Sequence, residues 1–292
     1  MLVSGATGFI GTELVRQLER EGHTVKRLVR SQPKSANEIN WAPSARMLDA
    51  SVLDDIDAVI NLSGASTGRL PWTKNYRKQI LDSRIDSTTA IAEAMGRAAT
   101  PPSVLLNASA VGIYGDRPAE LLTETSAKGT GFLADVVEAW EQAASIAPEA
   151  TRVVTFRTGL VVGRGGAFTP LLPLTRFGLG SRFGTGGQHW PWISLYDEAA
   201  AIRHLLTSSL SGPVNLAGPE AATANEVMST LAELMHRPFK LPVPEKIIEL
   251  ALRDAGHELL LSSQQLVPQR LLDDGFVFRH PTVAEALKWV LA

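Results

Sequence analysis

The 292-residue sequence contains no cysteine, which excludes a disulfide scaffold, a thiolate metal site and a cysteine nucleophile. The absence fits a reducing compartment. Neither sign of charge is in marked excess. Lys and Arg number 28 and Asp and Glu 30, for a formal net charge of −2. Such a balance supplies no basic surface for sequence-independent binding of nucleic acid. No apolar run approaches the roughly 20 residues that cross a bilayer. The N-terminus carries no basic segment followed by a long apolar one. The expectation is a soluble cytoplasmic protein that engages neither nucleic acid nor membrane. No His/Asp/Glu spacing suggests a metal site. Tyrosine is scarce as well, with only Tyr76, Tyr114 and Tyr196.

The residues that are present alternate between strand and helix patterns. Leu2-Val3-Ser4 reads as a short strand and is followed by a helical stretch to about Arg20, with Ile10, Leu14 and Leu18 on one face. Thr24 to Val29 reads as a second strand, and residues 31–46 as a polar loop with Pro33 and Pro43. Asp57 to Leu62, Ser103 to Asn107 and Arg152 to Phe156 are compact apolar strands; helices are expected over 74–97 and 131–146. This alternation predicts an α/β fold, a Rossmann-type doubly wound parallel sheet. After about residue 160 the alternation weakens, and two capping boxes, Thr223/Glu226 and Thr282/Glu285, mark later helix starts. The expected division is a dinucleotide-binding core over 1–160, completed by segments at about 190–218, with 161–292 mainly a smaller mixed α/β substrate lobe and C-terminal module.

The strongest motif is Gly5-x-x-Gly8-x-x-Gly11 between the first strand and helix. A tight turn, a close backbone approach and close helix–sheet packing each need a glycine, and the helix N-terminus offers free N–H groups to a pyrophosphate. Gly5, Thr7, Gly8, Phe9 and Ile10 are therefore candidate cofactor contacts. The second strand ends at Val29, and the next residues are Arg30 and Ser31; no Asp or Glu occurs between Glu21 and Glu38. A cation where an acidic residue would bind a ribose 2′-hydroxyl favours a 2′-phosphate, so NADP(H) is expected over NAD(H).

Ser4 to Gly11, Asp57 to Ala65, Asp82-Ser83-Arg84-Ile85, Ser109 to Asp116, Arg157 to Gly163, Trp190-Pro191-Trp192-Ile193 and Val267 to Leu272 together resemble the extended short-chain dehydrogenase/reductases. More narrowly, the chain is similar to their atypical "epimerase family" group, which carries a short C-terminal module. The resemblance implies further cofactor contacts at Leu62, Ser63 and Gly64, at Gln79 and Arg84 on the following helix, and at Leu160. Arg84 could equally pair with Asp82 or Asp86. Ser109 and Leu160 fall near the nicotinamide end.

Reductases of the superfamily use a Ser/Tyr/Lys set in which the lysine, four residues after the tyrosine, eases its proton transfer. No Tyr-x-x-x-Lys exists here, because Ile80, Pro118 and Ala200 stand four residues after the three tyrosines. By the family's spacing Phe132 and Val136 replace the pair. Ser109 remains as a candidate catalytic residue. Tyr114 is a second, if it swings toward the nicotinamide; its other reading is a packing tyrosine. Asp135 and His189 are weaker candidates. Arg176 and Arg182 could take a diphosphate or carboxylate, and Trp190 and Trp192 could stack on a ring or pack the lobe interface. Two functions follow: an NADP(H)-dependent oxidoreductase or nucleotide-sugar epimerase-type enzyme acting on an unknown small molecule, or a non-catalytic NADP(H)-binding redox sensor or regulatory protein. The two long helices could pair in a homodimer.

Overall fold

The computed structural model describes residues 1–292, the side chain of Leu241 excepted. The first half contains β1 (Leu2–Ser4), α1 (Phe9–Arg20), β2 (Lys26–Val29), β3 (Glu38–Asn40), β4 (Ala58–Asn61), α2 (Lys74–Arg97), β5 (Val104–Ala110), β6 (Arg117–Leu122), α3 (Phe132–Ala144) and β7 (Arg152–Thr158). Then follow β8 (Leu160–Val162), α4 (Phe168–Arg176), β9 (Ser181–Phe183), β10 (His189–Trp190), β11 (Trp192–Ser194), α5 (Leu195–Thr207), β12 (Gly212–Leu216), β13 (Ala222–Thr223) and α6 (Ala224–Leu234). The chain ends with β14 (Leu241–Val243), α7 (Glu245–Leu252), α8 (Asp254–Gly256), a wide helical turn (His257–Leu261), β15 (Gln264–Leu266), α9 (Gln269–Asp273) and α10 (Val283–Leu291).

Seven strands form one parallel sheet in the order β3-β2-β1-β4-β5-β7-β12. The strand order reverses between β1 and β4, and ligand crevices open there at the carboxyl ends of the strands. Period-two alternation sends neighbouring side chains to opposite faces. Val3, Ile60 and Leu106 join the cluster under α1 and α5, while Leu2, Val59 and Leu105 join the cluster under α2. Each such side chain contributes about 1.5–3 kcal/mol by leaving water. Coverage of both faces explains the unbroken apolar reading of these strands.

The expected loop over 31–46 contains a strand. Glu38–Asn40 pairs with β2 as the sheet edge, so its polar sequence meets solvent on one side. Both expected capping boxes form, at Thr223/Glu226 and Thr282/Glu285. The later part is built from two-stranded pairs, β8–β11, β9–β14 and β10–β13, around a second core that includes Trp190, Trp192, Val227, Met228 and Leu287, while β6–β15 ties the C-terminal module to a separate cluster with Val111, Tyr114, Leu122 and Leu266. Trp190 and Trp192 are 5% and 1% exposed, so they pack this core and offer no face for a ligand ring.

Candidate cofactor and active site

Gly5, at the end of β1, has φ +68°, and a Cβ there would lie 2.8 Å from the Leu62 carbonyl oxygen. A Cβ on Gly11 would lie 2.2 Å from the Gly5 carbonyl oxygen. Only glycine lets the first turn of α1 descend this closely onto the strand. The α1 N-terminus has no side-chain cap and no acidic residue in its first turn, which leaves its positive end directed at the crevice. Phe9 extends away from the turn and packs against the glycines after β8. A Cβ on Gly163 or Gly165 would come within 2.6 or 2.5 Å of its ring. Arg164, between them, donates to the Val290 carbonyl in α10, so the C-terminal helix holds the loop that covers Phe9.

Arg30 and Ser31 emerge exposed at the carboxyl end of β2, and no carboxylate pairs with Arg30 among the described residues. The Ser31 carbonyl is held by the Asn40 amide at 2.9 Å. Ser63 donates its hydroxyl to Ser4 Oγ at 3.0 Å, and Ser4 donates to Asn61 Oδ1 at 2.6 Å. Asn61 continues to Asn107 and Thr88. This buried chain of hydrogen bonds fixes the crevice floor where the strand order reverses.

Arg84 pairs with neither expected aspartate, since Asp82 binds Lys78 and Asp86 binds Arg46. Its guanidinium stacks 4.9 Å from the Trp140 ring centroid and donates to the Ala65 and Ile80 carbonyls at 3.0 Å. Burial lowers its pKa to about 10. Arg84 thus supports the Leu62–Ala65 turn from beneath, with Gly64 against its side chain. Gln79 is exposed on α2, and Leu160 begins β8, held by its N–H to the Pro191 carbonyl at 2.7 Å.

The two candidate catalytic hydroxyls are not free. Ser109 is 3% exposed and donates to Glu141 on α3 at 2.5 Å. Tyr114 is fully buried, donates to Asn215 at 2.7 Å and accepts from Arg157 at 2.9 Å. Burial raises its pKa above the ordinary tyrosine value. Swinging Tyr114 toward a nicotinamide would break its bonds to Arg157 Nη1 and Asn215 Oδ1, and the Ser109 proton is already committed to Glu141, so either hydroxyl would have to leave a buried partner to act as an acid. At the tyrosine position of α3, Phe132 lies between the edge of Trp72, 5.4 Å away, and the Arg77 guanidinium, 4.2 Å from its centroid. Val136 is 2% exposed beside Tyr76 and Ile80. Asp135 binds Lys128 at the surface, and Arg176 and Arg182 are exposed.

Three features carried no local signal. Glu258, in the turn after α8, accepts from the Phe132 and Leu133 N–H groups at 2.9 and 2.7 Å and so caps α3 from 126 residues away. Asp254 binds Arg77 on α2 at 2.6 Å, so one short segment grips both helices. Glu198 in α5 is fully buried: Thr158 donates to its Oε1 at 2.6 Å, and its Oε2 has no partner.

Burial pushes the Glu198 pKa up from 4.5 to about 8, so the carboxyl is protonated at neutral pH. The folded state then holds this proton more tightly than the unfolded chain. The contribution to stability is complete below pH 4.5 and is lost as pH rises to about 8. The loss is on the order of a few kcal/mol. Glu198→Gln, which cannot ionise, is expected to flatten the fall in Tm between about pH 5 and about pH 8. Parallel Tm-versus-pH curves for the two proteins would show that the carboxyl is already ionised.

Residues 1–218 match the model of the NAD dependent epimerase/dehydratase family, and residues 243–290 match a domain of unknown function, DUF1731. The fold and crevice define a Rossmann-type dinucleotide-binding protein, and the chain belongs to the NAD dependent epimerase/dehydratase family. It is 37% identical over 290 residues to an epimerase family protein of Mycobacterium leprae, covering 98% of this chain and 94% of that one. Identity to the human epimerase family protein SDR39U1 is 33% over 297 residues, covering 100% and 99% of the two chains. The crystal structure of human SDR39U1 with NADPH superposes with a TM-score of 0.92 at 31% identity, covering 99% and 98%. A nucleoside-diphosphate sugar epimerase from Corynebacterium glutamicum superposes at 0.81 with 30% identity, covering 99% of this chain and 57% of that one. No helix among the described residues is long and apolar enough to cross a membrane.

Proposed function

We propose that the protein is an NADP(H)-dependent oxidoreductase in which the Gly5–Gly11 turn and the α1 N-terminus hold the pyrophosphate and Arg30 takes the 2′-phosphate. The observation that carries this reading is the pairing of an uncapped helix end over a glycine cradle that no Cβ would fit with a cation at the end of β2 that has no carboxylate partner. The NADPH-bound human relative supports it. Bound there, the nicotinamide gives or takes a hydride. Ser63 and Gly64 turn the chain beside the cofactor, Arg84 stiffens that turn, and Phe132 with Trp72 shields the nicotinamide end from water. Neither Phe132 nor Val136 can exchange a proton, so the proton that accompanies hydride transfer does not come from these two positions of α3.

Titration should show NADPH binding, and single-turnover mixing with carbonyl, enone and quinone acceptors should show loss of the nicotinamide absorbance. Ser109→Ala and Tyr114→Phe should retain that turnover. NADPH binding without oxidation by any acceptor would remove the oxidoreductase assignment. That result would leave the second reading, a redox sensor. The grip of Asp254 and Glu258 on α2 and α3 favours it, because cofactor occupancy would then be felt by the C-terminal module.

A further inference from the structure

On the carboxyl side of β5, between the turn after that strand and the C-terminal module, lies a cavity of about 360 Å³. That volume is within the range of small-molecule sites. Its wall includes Asp116, Thr185, Gln188, His189, Glu245 and Ser263. Gln264, next to Ser263, donates to the Val111 and Gly115 carbonyls, which ties this wall to the end of β5.

Two side chains of the wall are more than nine-tenths buried and incompletely used. Gln188 is 7% exposed and donates its amide to the Phe183 and Leu260 carbonyls at 3.1 and 2.9 Å. These bonds fix the orientation of the amide and leave its oxygen, an acceptor, without a donor from the protein. Ser263 is 4% exposed; its Oγ accepts from the His189 N–H at 3.0 Å, and its own proton has no acceptor. Buried polar groups with unused hydrogen bonds are costly unless something supplies the missing partner.

The charge in the wall has one sign. Asp116 accepts from the Ser263 N–H at 2.8 Å and keeps its second oxygen 3.9 Å from His257. Glu245, exposed at the first residue of α7, has no ion pair among the described residues. Neither lysine nor arginine lines the cavity. The stem of Arg182 runs beside Gly186, but its exposed side chain is not part of the wall. A diphosphate would meet two carboxylates and no cation, a strongly unfavourable juxtaposition. An ammonium group would meet the reverse.

We propose that this cavity binds a small polyhydroxylated molecule that carries an ammonium group and no phosphate, the class of an amino sugar or amino alcohol. Its hydroxyls pair with Gln188, Ser263 and Thr185, and its ammonium group is held by the carboxylates of the wall, Asp116 and Glu245. That this ligand is the substrate rests on the oxidoreductase reading; that it binds does not. The ligand class sets the protein apart from nucleotide-sugar epimerases, because the cavity has no clamp for a nucleoside diphosphate.

The test is calorimetric titration of the full chain, saturated with NADP⁺, with D-glucosamine, N-acetyl-D-glucosamine, glucosamine 6-phosphate and UDP-glucose. Glucosamine is expected to bind about tenfold or more tightly than its neutral N-acetyl form, the worth of one charge pair in a half-solvated site. Glucosamine 6-phosphate and UDP-glucose should give no binding heat. The double variant Asp116→Asn/Glu245→Gln should lose the preference for glucosamine. An amide oxygen at position 116 can still accept from the Ser263 N–H, so the wall keeps its shape, and an unchanged NADP⁺ titration of the same sample shows that the chain is folded. Three results would overturn the proposal: no heat with glucosamine up to tens of millimolar, tighter binding of either phosphate compound (above all if Arg182→Ala removes it), or equal glucosamine affinity in the double variant. The NADP⁺ titration also reports on the cofactor site separately, so failure here is distinct from failure of the oxidoreductase reading.

Discussion

Arg30→Asp is expected to lower the affinity for NADPH by about a hundredfold or more while changing that for NADH by no more than a few-fold. Arg30 is exposed at the end of β2 and is not neutralised by any carboxylate among the described residues. A charge-assisted hydrogen bond to a phosphate is worth about 1.5–3 kcal/mol, and reversing the charge adds repulsion against the same phosphate. Lys34, the next cation along the chain, is exposed, and its backbone N–H donates to Glu38, so a carboxylate already lies near it. NADH has a hydroxyl in place of the phosphate and loses little. The difference should shrink as salt is raised, because an exposed charge pair is screened beyond about 10 Å at 0.1 M. Titration of both nucleotides by fluorescence at two ionic strengths measures all of this. Equal losses for NADPH and NADH would remove Arg30 from 2′-phosphate recognition and leave only the glycine cradle as the determinant of binding.

The features legible in the sequence are those set by neighbours within a few residues. The Gly5–Gly11 turn, the limits of α2 and the two capping boxes depend on φ angles and on i to i+3 contacts, and they stand where spacing placed them. β3 has no strand signature, because Glu38-Ile39-Asn40 is an edge strand whose polar residues face water, which gives it the composition of a loop. The site failed at long range. Ser109 reads as a free hydroxyl at a strand end until Glu141, 32 residues on, is seen to take its proton. Tyr114 meets Asn215 across 101 residues. The loss of the proton relay at Phe132 is readable from spacing, but its enclosure by Trp72, Arg77 and the Glu258 cap is not, because those partners come from two segments far from it in the chain.

Arg157→Leu is expected to destabilise the protein by about 3 kcal/mol, the lower end of the cost of breaking a buried ion pair, because the Glu141 carboxylate it strands keeps some contact with water. Arg157 is 7% exposed and holds Glu141 with two hydrogen bonds, 2.8 and 2.9 Å long, while its third nitrogen donates to Tyr114. Removing it leaves Glu141 with only the Ser109 hydroxyl and strips the Tyr114 oxygen of its donor. Arg157→Lys keeps the charge but cannot form the planar fork, so it should fall between wild type and Arg157→Leu. Replacing both partners with leucine should cost less than Arg157→Leu alone, because no charge is then stranded. Urea denaturation of the four proteins measures the order. Tyr114→Phe and Ser109→Ala should each cost about 1–2 kcal/mol by the same route, with NADPH affinity unchanged. If Tyr114→Phe instead kept its stability and NADPH affinity but lost turnover, the tyrosine would have to leave its buried partners during the reaction, and the acid role would return to it. Turnover in Tyr114→Phe, set beside the stability lost in Arg157→Leu, therefore decides whether this network is only a scaffold beneath the crevice or also supplies its proton.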